Sequence, residues 1–322
     1  MHPTPAPVFP AIPDHPAPLA ELLAGVIAET GRFVLGKEPQ IRLALCSLLA
    51  EGHLLIEDIP GIGKTTLAKA LAGVLGLDFR RIQCTSDMLP GDILGVSVFE
   101  QKSASFSFHP GPIFTRILLA DEINRTTPKT QSALLEAMEE RQVSLEGSTR
   151  PLPAPFFVIA TQNPGDQLGT HPLPESQLDR FAMRLSLGYP DPAAERALLV
   201  GDDRRSLLQA LQPVMTPEAW AQAQAQVDAV HVSAGLLDYL QALIAATRDG
   251  RWFALGLSPR AGLSLLKLAR ARALVLGRSH VSPEDLQVLW VPAVAHRLQP
   301  LAQSGRSAVA QARALLEAVP VP

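Results

Sequence analysis

Apolar and polar positions follow one pattern up to about residue 190 and another after it. Residues 79–85 read as a strand, and the first part carries short apolar runs: His53-Leu54-Leu55-Ile56, Ile117-Leu118-Leu119-Ala120, and Phe156-Phe157-Val158-Ile159-Ala160-Thr161. Runs of this length, apolar at consecutive positions, predict strands buried on both faces of a parallel sheet. Helical spacing predicts helices over 19–32, 38–51, 65–75 and 128–141. The last has Pro128 at its start and Leu134, Leu135 and Met138 on one face. Val96-Ser97-Val98-Phe99 and Ala104-Ser105-Phe106-Ser107-Phe108 alternate with period two across a polar turn and predict a hairpin. Residues 142–152 predict a second hairpin, and 85–92 a loop or a capped short helix. Phe99, Phe106 and Phe108 are expected to pack rather than to contact a ligand.

After Gly188-Tyr189-Pro190-Asp191-Pro192 the strand signals vanish. Two prolines within three residues mark a boundary. Residues 193–210, 216–227, 233–248, 258–276 and 282–297 read as helices, and 304–322 as a final one. Residues 1–18, rich in Pro and Ala, predict an extended, poorly ordered arm. The expected fold is therefore α/β. A parallel sheet flanked by helices occupies 19–190, and a smaller all-helical domain occupies 191–322.

Two places in the first part carry chemistry. Glu57-Asp58-Ile59-Pro60-Gly61-Ile62-Gly63-Lys64-Thr65-Thr66 joins an apolar strand to a helix through a glycine-bearing turn. Such a turn cradles nucleotide phosphates with backbone N–H groups and a helix N-terminus. Lys64 would reach the β- and γ-phosphates, and the Thr65 hydroxyl would bind Mg²⁺. The strict pattern G-x-x-x-x-G-K-[ST] needs Gly where this chain has Asp58, so an ordinary strand-to-helix turn is the competing reading. The second place, Asp121-Glu122, closes an apolar strand, where ligands sit in an open α/β sheet. Asp121 would hold Mg²⁺ and Glu122 would polarise an attacking water. Asn163 lies just past the strand ending at Thr161, on the same side. The expected core is thus that of a P-loop NTPase.

Composition narrows this little. The chain has 322 residues, 47% hydrophobic, enough for a sizeable core and about two domains. Its net charge of −3 argues against a broad nucleic-acid footprint. Cys46 and Cys84 lie in apolar surroundings and read as reduced core residues. The eight histidines show no metal-ligand spacing, and His171 reads as a loop residue. With no apolar run of about 18 residues and no signal-peptide layout, the cytoplasm is the expected location.

From about residue 30 to 297 the chain resembles the MoxR family of AAA+ ATPases, of the class carrying a helix-2 insert. The resemblance rests on Glu57 to Thr65, where acidic residues before Pro-Gly are usual for the family, and on Leu118-Leu119-Ala120-Asp121-Glu122-Ile123-Asn124-Arg125. It continues through 128–140, Ala160-Thr161-Gln162-Asn163-Pro164, Leu173 to Phe181 and Ser258-Pro259-Arg260-Ala261-Gly262. It implies that Pro60, Gly61, Ile62, Gly63, Lys64, Thr65 and Thr66 cradle ATP, and that Thr65 and Asp121 hold Mg²⁺. Glu122 is implied as the water activator and Asn163 as the sensor orienting the water. Arg180 is implied as the arginine finger offered to a neighbouring subunit, and Arg260 as a lid sensor touching the γ-phosphate of its own chain. Arg180 could instead pair with Asp179 beside it, with Arg125 then the trans-acting cation; Arg260 could be a plain helix-start arginine. Residues 86–109 would be the helix-2 insert.

The resemblance further implies an oligomer, a hexameric ring, that hydrolyses ATP and acts as a chaperone-like maturation factor, with a separate von Willebrand factor A domain protein as partner. Two other readings share the core: a nucleotide-gated binding module in which hydrolysis is incidental, and a DNA-directed motor.

Overall fold

The computed structural model describes residues 19–102, 104–164, 169–200, 207–208, 210–302 and 305–321. The expected arm, 1–18, lies outside them. Five strands form one parallel sheet: β1 (His53–Glu57), β2 (Phe79–Gln83), β5 (Ile117–Asp121), β8 (Phe157–Gln162) and β9 (Phe181–Leu185). Their order is β2-β5-β8-β1-β9. The three central strands alternate their side chains between two apolar layers, as a pleat with period two requires. Leu54, Ile56, Ile117, Leu119, Phe157 and Ile159 face one layer. Leu55, Leu118, Ala120, Val158 and Ala160 face the other.

The first layer is covered by α1 (Leu19–Phe33), α2 (Glu38–Leu49) and α3 (Lys64–Val74). The second is covered by α4 (Pro90–Leu94) and α5 (Pro128–Glu140). Both expected hairpins form. β3 (Gly95–Glu100) pairs with β4 (Ser105–Pro110), and β6 (Gln142–Leu145) with β7 (Ser148–Pro151), antiparallel in each case. Phe108 packs as expected, edge-on to Phe114 and under the Arg150 guanidinium. Phe99 and Phe106 differ: they touch each other edge-on, yet are 52% and 72% exposed.

Beyond β9 and the short α6 (Glu175–Leu178) that precedes it, the chain is mostly helical: α7 (Pro192–Val200), α8 (Pro217–Ala229), α9 (Ala234–Arg248), α10 (Pro259–Val275), α11 (Pro283–Val294) and α12 (Ala308–Ala318). Part of the expected 193–210 helix, at 201–206 and 209, lies outside the described residues. One expectation needs correction: this part is not purely helical. β10 (Phe253–Leu255) pairs antiparallel with β11 (Gln299–Pro300). Runs this short carry no readable alternation, which is why the pattern missed them.

Helices α8 to α12 join the first apolar layer rather than forming a core of their own. α10 packs on α2, and α11 packs on β9. His296 Nε2 bonds the Phe181 carbonyl at 2.9 Å, and Arg297 Nη2 donates to the same oxygen at 2.9 Å. The helical part is thus pinned where β9 begins, at the N-terminal edge of the sheet.

Candidate nucleotide site

Strand order brings the predicted residues together. β8 lies between β5 and β1, so the segments after β1, β8 and β5 emerge side by side at the C-terminal edge. Those segments carry Lys64 and Thr65, Asn163, and Asp121 with Glu122.

The phosphate loop turns on Gly61 (φ 82°) and Gly63 (φ 95°), both left-handed. A Cβ at either position would meet no atom within 4 Å, so what these positions require is backbone conformation and not space. Gly63 caps α3, whose first residues are Lys64, Thr65 and Thr66. The first N–H groups of a helix have no intrahelical acceptor and favour an anion. Lys64 Nζ bonds the backbone carbonyl of Asp58 and approaches that of Gln162 at 3.5 Å. Burial lowers the Lys64 pKa, opposed by Asp58, Asp121 and Glu122.

Asp58, the residue that breaks the strict motif, is buried and fully engaged. Its Oδ1 accepts from Ile59 N at 2.9 Å, and its Oδ2 from Ser186 Oγ at 2.8 Å and Gly188 N at 2.7 Å. Burial raises its pKa, but these bonds outweigh burial and hold the carboxyl below its ordinary value. A glycine would leave those donors without this acceptor.

At the end of β5, Asp121 Oδ1 accepts from Thr161 Oγ1 at 2.6 Å, and Thr161 Oγ1 accepts from Glu122 N at 2.9 Å. Thr161 therefore fixes both acidic residues from the neighbouring strand. Glu122 has φ 59°, an uncommon conformation for a residue with a side chain, and such outliers concentrate at functional sites. Two arginines hold the carboxylates. Arg81 donates to Asp121 Oδ2 through Nε (3.1 Å) and Nη2 (2.7 Å), and Arg125 Nε pairs with Glu122 Oε2 at 2.8 Å. Gln83 Nε2 also reaches Glu122 Oε2 at 3.3 Å. The sequence reading missed Arg81, Gln83 and Thr161. Parallel pairing of β2 with β5, Gln83 opposite Asp121, is what brings the first two there.

The residues fit a nucleotide with a hard cation. Thr65 Oγ1 and Asp121 Oδ2 converge to 3.5 Å, two oxygens of the kind that Mg²⁺ takes alongside phosphate and water. Among the described residues no group of three or more His, Cys, Asp or Glu could hold a metal alone. A cavity of about 460 Å³ beside the loop is lined by Val34, Leu35, Gly61, Ile62 and Tyr189, apolar enough for a base. Val34, Leu35 and Lys37 bring the turn after α1 to its wall. Lys37 Nζ closes that turn onto the Tyr189 carbonyl at 2.6 Å.

The two remaining arginines stand elsewhere. Arg180 precedes β9, whose Phe181 pairs with His53 at the start of β1. It is therefore at the N-terminal edge, a full strand from the phosphate loop, or about 17 Å at 3.3 Å per residue. Arg180 Nη2 pairs with Glu139 Oε2 at 3.0 Å, while Asp179 is taken by Arg297 at 3.1 Å, so the alternative Arg180–Asp179 pair does not form. Arg260 pairs with the other oxygen of Glu139. Arg260 is expected at the γ-phosphate of its own chain; here α10 packs on α2, and Arg260 meets Glu139 beside Arg180. Arg125, the other candidate trans-acting cation, pairs within its own chain. His171 is a loop residue as read, its backbone bonded to Asn124 O and to Gln131 Nε2. Cys46 and Cys84 are buried thiols, each pushed up to about 12 chiefly by burial.

Residues 53–183 match the ATPase family associated with various cellular activities (AAA), and residues 245–318 match the AAA lid domain. The chain is 44% identical over 307 residues to the uncharacterized protein YeaC of Bacillus subtilis, covering 94% of this chain and 96% of that one. It is 40% identical to the chaperone MoxR1 of Mycobacterium tuberculosis, covering 89% and 81%. The crystal structure of a candidate ATPase from Cytophaga hutchinsonii superposes with a TM-score of 0.85 at 34% identity, covering 94% and 96%. The motifs, the strand order and these matches agree: the chain belongs to the MoxR family of AAA+ ATPases.

Proposed function

We propose that this protein hydrolyses ATP with Mg²⁺ as a ring-forming oligomer, each active site shared between two subunits, and uses the cycle to remodel or mature a partner protein. One observation carries the shared site. Lys64, Thr65, Asp121, Glu122 and Asn163 lie at one edge of the sheet, and Arg180 and Arg260 at the other. Phosphoryl transfer relies on cations around a spreading negative charge. Arginines a strand-length from their own phosphate loop can supply that charge only to another subunit.

In this reading Lys64 leaves the carbonyls of Asp58 and Gln162 to bind the β- and γ-phosphates. Thr65 and Asp121 would hold the metal, which when bound would supply positive charge to the site. Glu122, released by Arg125, orients the attacking water with Asn163. A neighbour's Arg180 and Arg260 then approach the γ-phosphate. The maturation role is supported by the chaperone name of the M. tuberculosis relative. A partner with a von Willebrand factor A domain, six subunits and a cytoplasmic location belong to the same proposal. Among the described residues no helix is long and apolar enough to cross a membrane. The division at residues 190 and 191 into a nucleotide-binding core and a lid remains part of it.

The test is ATP hydrolysis against protein concentration, beside Glu122→Gln and Arg180→Ala. Specific activity should rise with concentration and be lost in both variants. Concentration-independent activity that survives in Arg180→Ala would reject the shared site. The pairing of Glu122 with Arg125 favours one second reading, a nucleotide-gated binding module at rest. Full cellular function of a turnover-dead Glu122→Gln variant would select it.

A further inference from the structure

Glu139 is the carboxylate that joins the two displaced arginines. It lies near the C-terminal end of α5, with Oε2 on Arg180 Nη2 at 3.0 Å and Oε1 on Arg260 Nη2. The three come from three elements: α5, the segment before β9, and the first turn of α10. Neighbouring acids are occupied elsewhere. Asp179 pairs with Arg297, and Glu51 with Arg141 and Lys267. A cavity of about 400 Å³ opens over Glu139, Arg180 and Arg260, and the two arginine side chains are 28% and 58% exposed.

Two guanidinium groups side by side repel. A carboxylate between them removes the repulsion and fixes both orientations, because each of its oxygens takes one fork. A guanidinium has five N–H donors, so one contact to Glu139 does not exhaust either arginine. The Arg260 hydrogen bond, with the charges of Arg180 and Arg260, outweighs burial and lowers the Glu139 pKa, so it is ionised at neutral pH.

We propose that Glu139 is a positioning residue for hydrolysis on the neighbouring subunit: it aligns Arg180 of the core and Arg260 of the lid as one two-cation fork for that subunit's triphosphate. This rests on the shared-site reading. Glu139 would act wholly in trans, far from the nucleotide its own chain binds. A carboxylate that merely competed with phosphate for the arginines would have the opposite effect, and its removal would speed turnover.

Mixed oligomers test this. Lys64→Ala subunits keep the arginines but lose their phosphate loop. Arg180→Ala subunits keep the loop but lose the finger. Each alone should be inactive, and an equimolar mixture should recover hydrolysis. Adding Glu139→Ala to the Lys64→Ala subunit should then lower the recovered kcat about 10- to 100-fold with KM unchanged, as misplaced catalytic groups do. Adding it to the Arg180→Ala subunit should leave the recovered rate within about twofold. Equal loss in both placements would mean a general folding defect and would overturn the proposal, as would no loss or a gain in the first. If the parent mixture recovers nothing while Arg180→Ala alone is active, the shared site itself fails and Glu139 falls with it.

Discussion

Ser186 Oγ donates to Asp58 Oδ2 at 2.8 Å, tying the first turn of the phosphate loop to the chain that leaves β9 for the helical part. The Gly188 N–H donates to the same oxygen, so one buried carboxylate spans the loop and the crossing between the two parts. Any movement of 186–188 pulls on the loop that holds Lys64.

Asp58→Asn should therefore cost about 2–3 kcal/mol, since an amide turned toward these donors cannot accept all of them. Asp58→Gly is the sharper variant, because it restores the strict glycine pattern. It should still bind a fluorescent ATP analogue more weakly than the parent. Equal or tighter binding would show that the tie is irrelevant to the loop.

Arg81 makes two bonds to Asp121 Oδ2, the oxygen that faces Thr65 Oγ1. A divalent cation there must compete with the guanidinium for one carboxylate oxygen. Arg81→Ala should lower the Mg²⁺ concentration needed for half-maximal nucleotide binding, by several-fold for a partly exposed pair. An unchanged or higher requirement in a Mg²⁺ titration would mean that Arg81 does not compete.

The sequence made the C-terminal edge of the sheet readable because everything there is local to a strand end. Lys64, Asp121 and Asn163 each follow an apolar run, and the hairpin of β3 and β4 announces itself by period two. What it could not show is which edge a later helix reaches. The sensor role of Arg260 is implied by the family resemblance alone. Its contact with Glu139 depends on α10 packing on α2, the same packing that places Lys267 Nζ 2.7 Å from Glu51 across 216 residues. Glu139 was equally hidden, because a glutamate near the end of a helix is ordinary until two arginines from distant segments meet on it. Thr161 shows no role in the 160–164 motif itself, since only the β5–β8 pairing turns its hydroxyl to Asp121.

Gly63 offers a test of conformation separated from packing. With φ 95° and no atom within 4 Å of a built Cβ, Gly63→Ala adds no clash. It should nonetheless destabilise by about 1–2 kcal/mol and abolish nucleotide binding, because the left-handed cap that aims the α3 N–H groups would be strained. Gly235, in the first turn of α9 and equally uncrowded, has no such φ. Gly235→Ala should be neutral or stabilising by up to about 1 kcal/mol. Urea unfolding of the two variants decides it, and matching effects would discount the conformational argument.

Two buried histidines predict an acid limit to stability well away from the nucleotide. His53 Nδ1 accepts from Val158 N at 3.0 Å and its Nε2 meets Met138 O at 3.1 Å, which fixes the neutral ring with its proton on Nε2. Burial pushes His53 down to about 4 and His296 to about 3, from 6.5. Between 6.5 and those values the unfolded chain binds protons that the native chain refuses, so stability rises with pH across this window and falls on acidification. The loss from His53 alone is on the order of 1–3 kcal/mol by pH 4.5. Urea midpoints measured from pH 7.5 to 4.5 should drop steadily below 6.5. His53→Gln keeps a donor for Met138 O and cannot titrate, so its slope should be shallower even if its stability at pH 7.5 is lower. An identical slope would place the acid sensitivity in other groups.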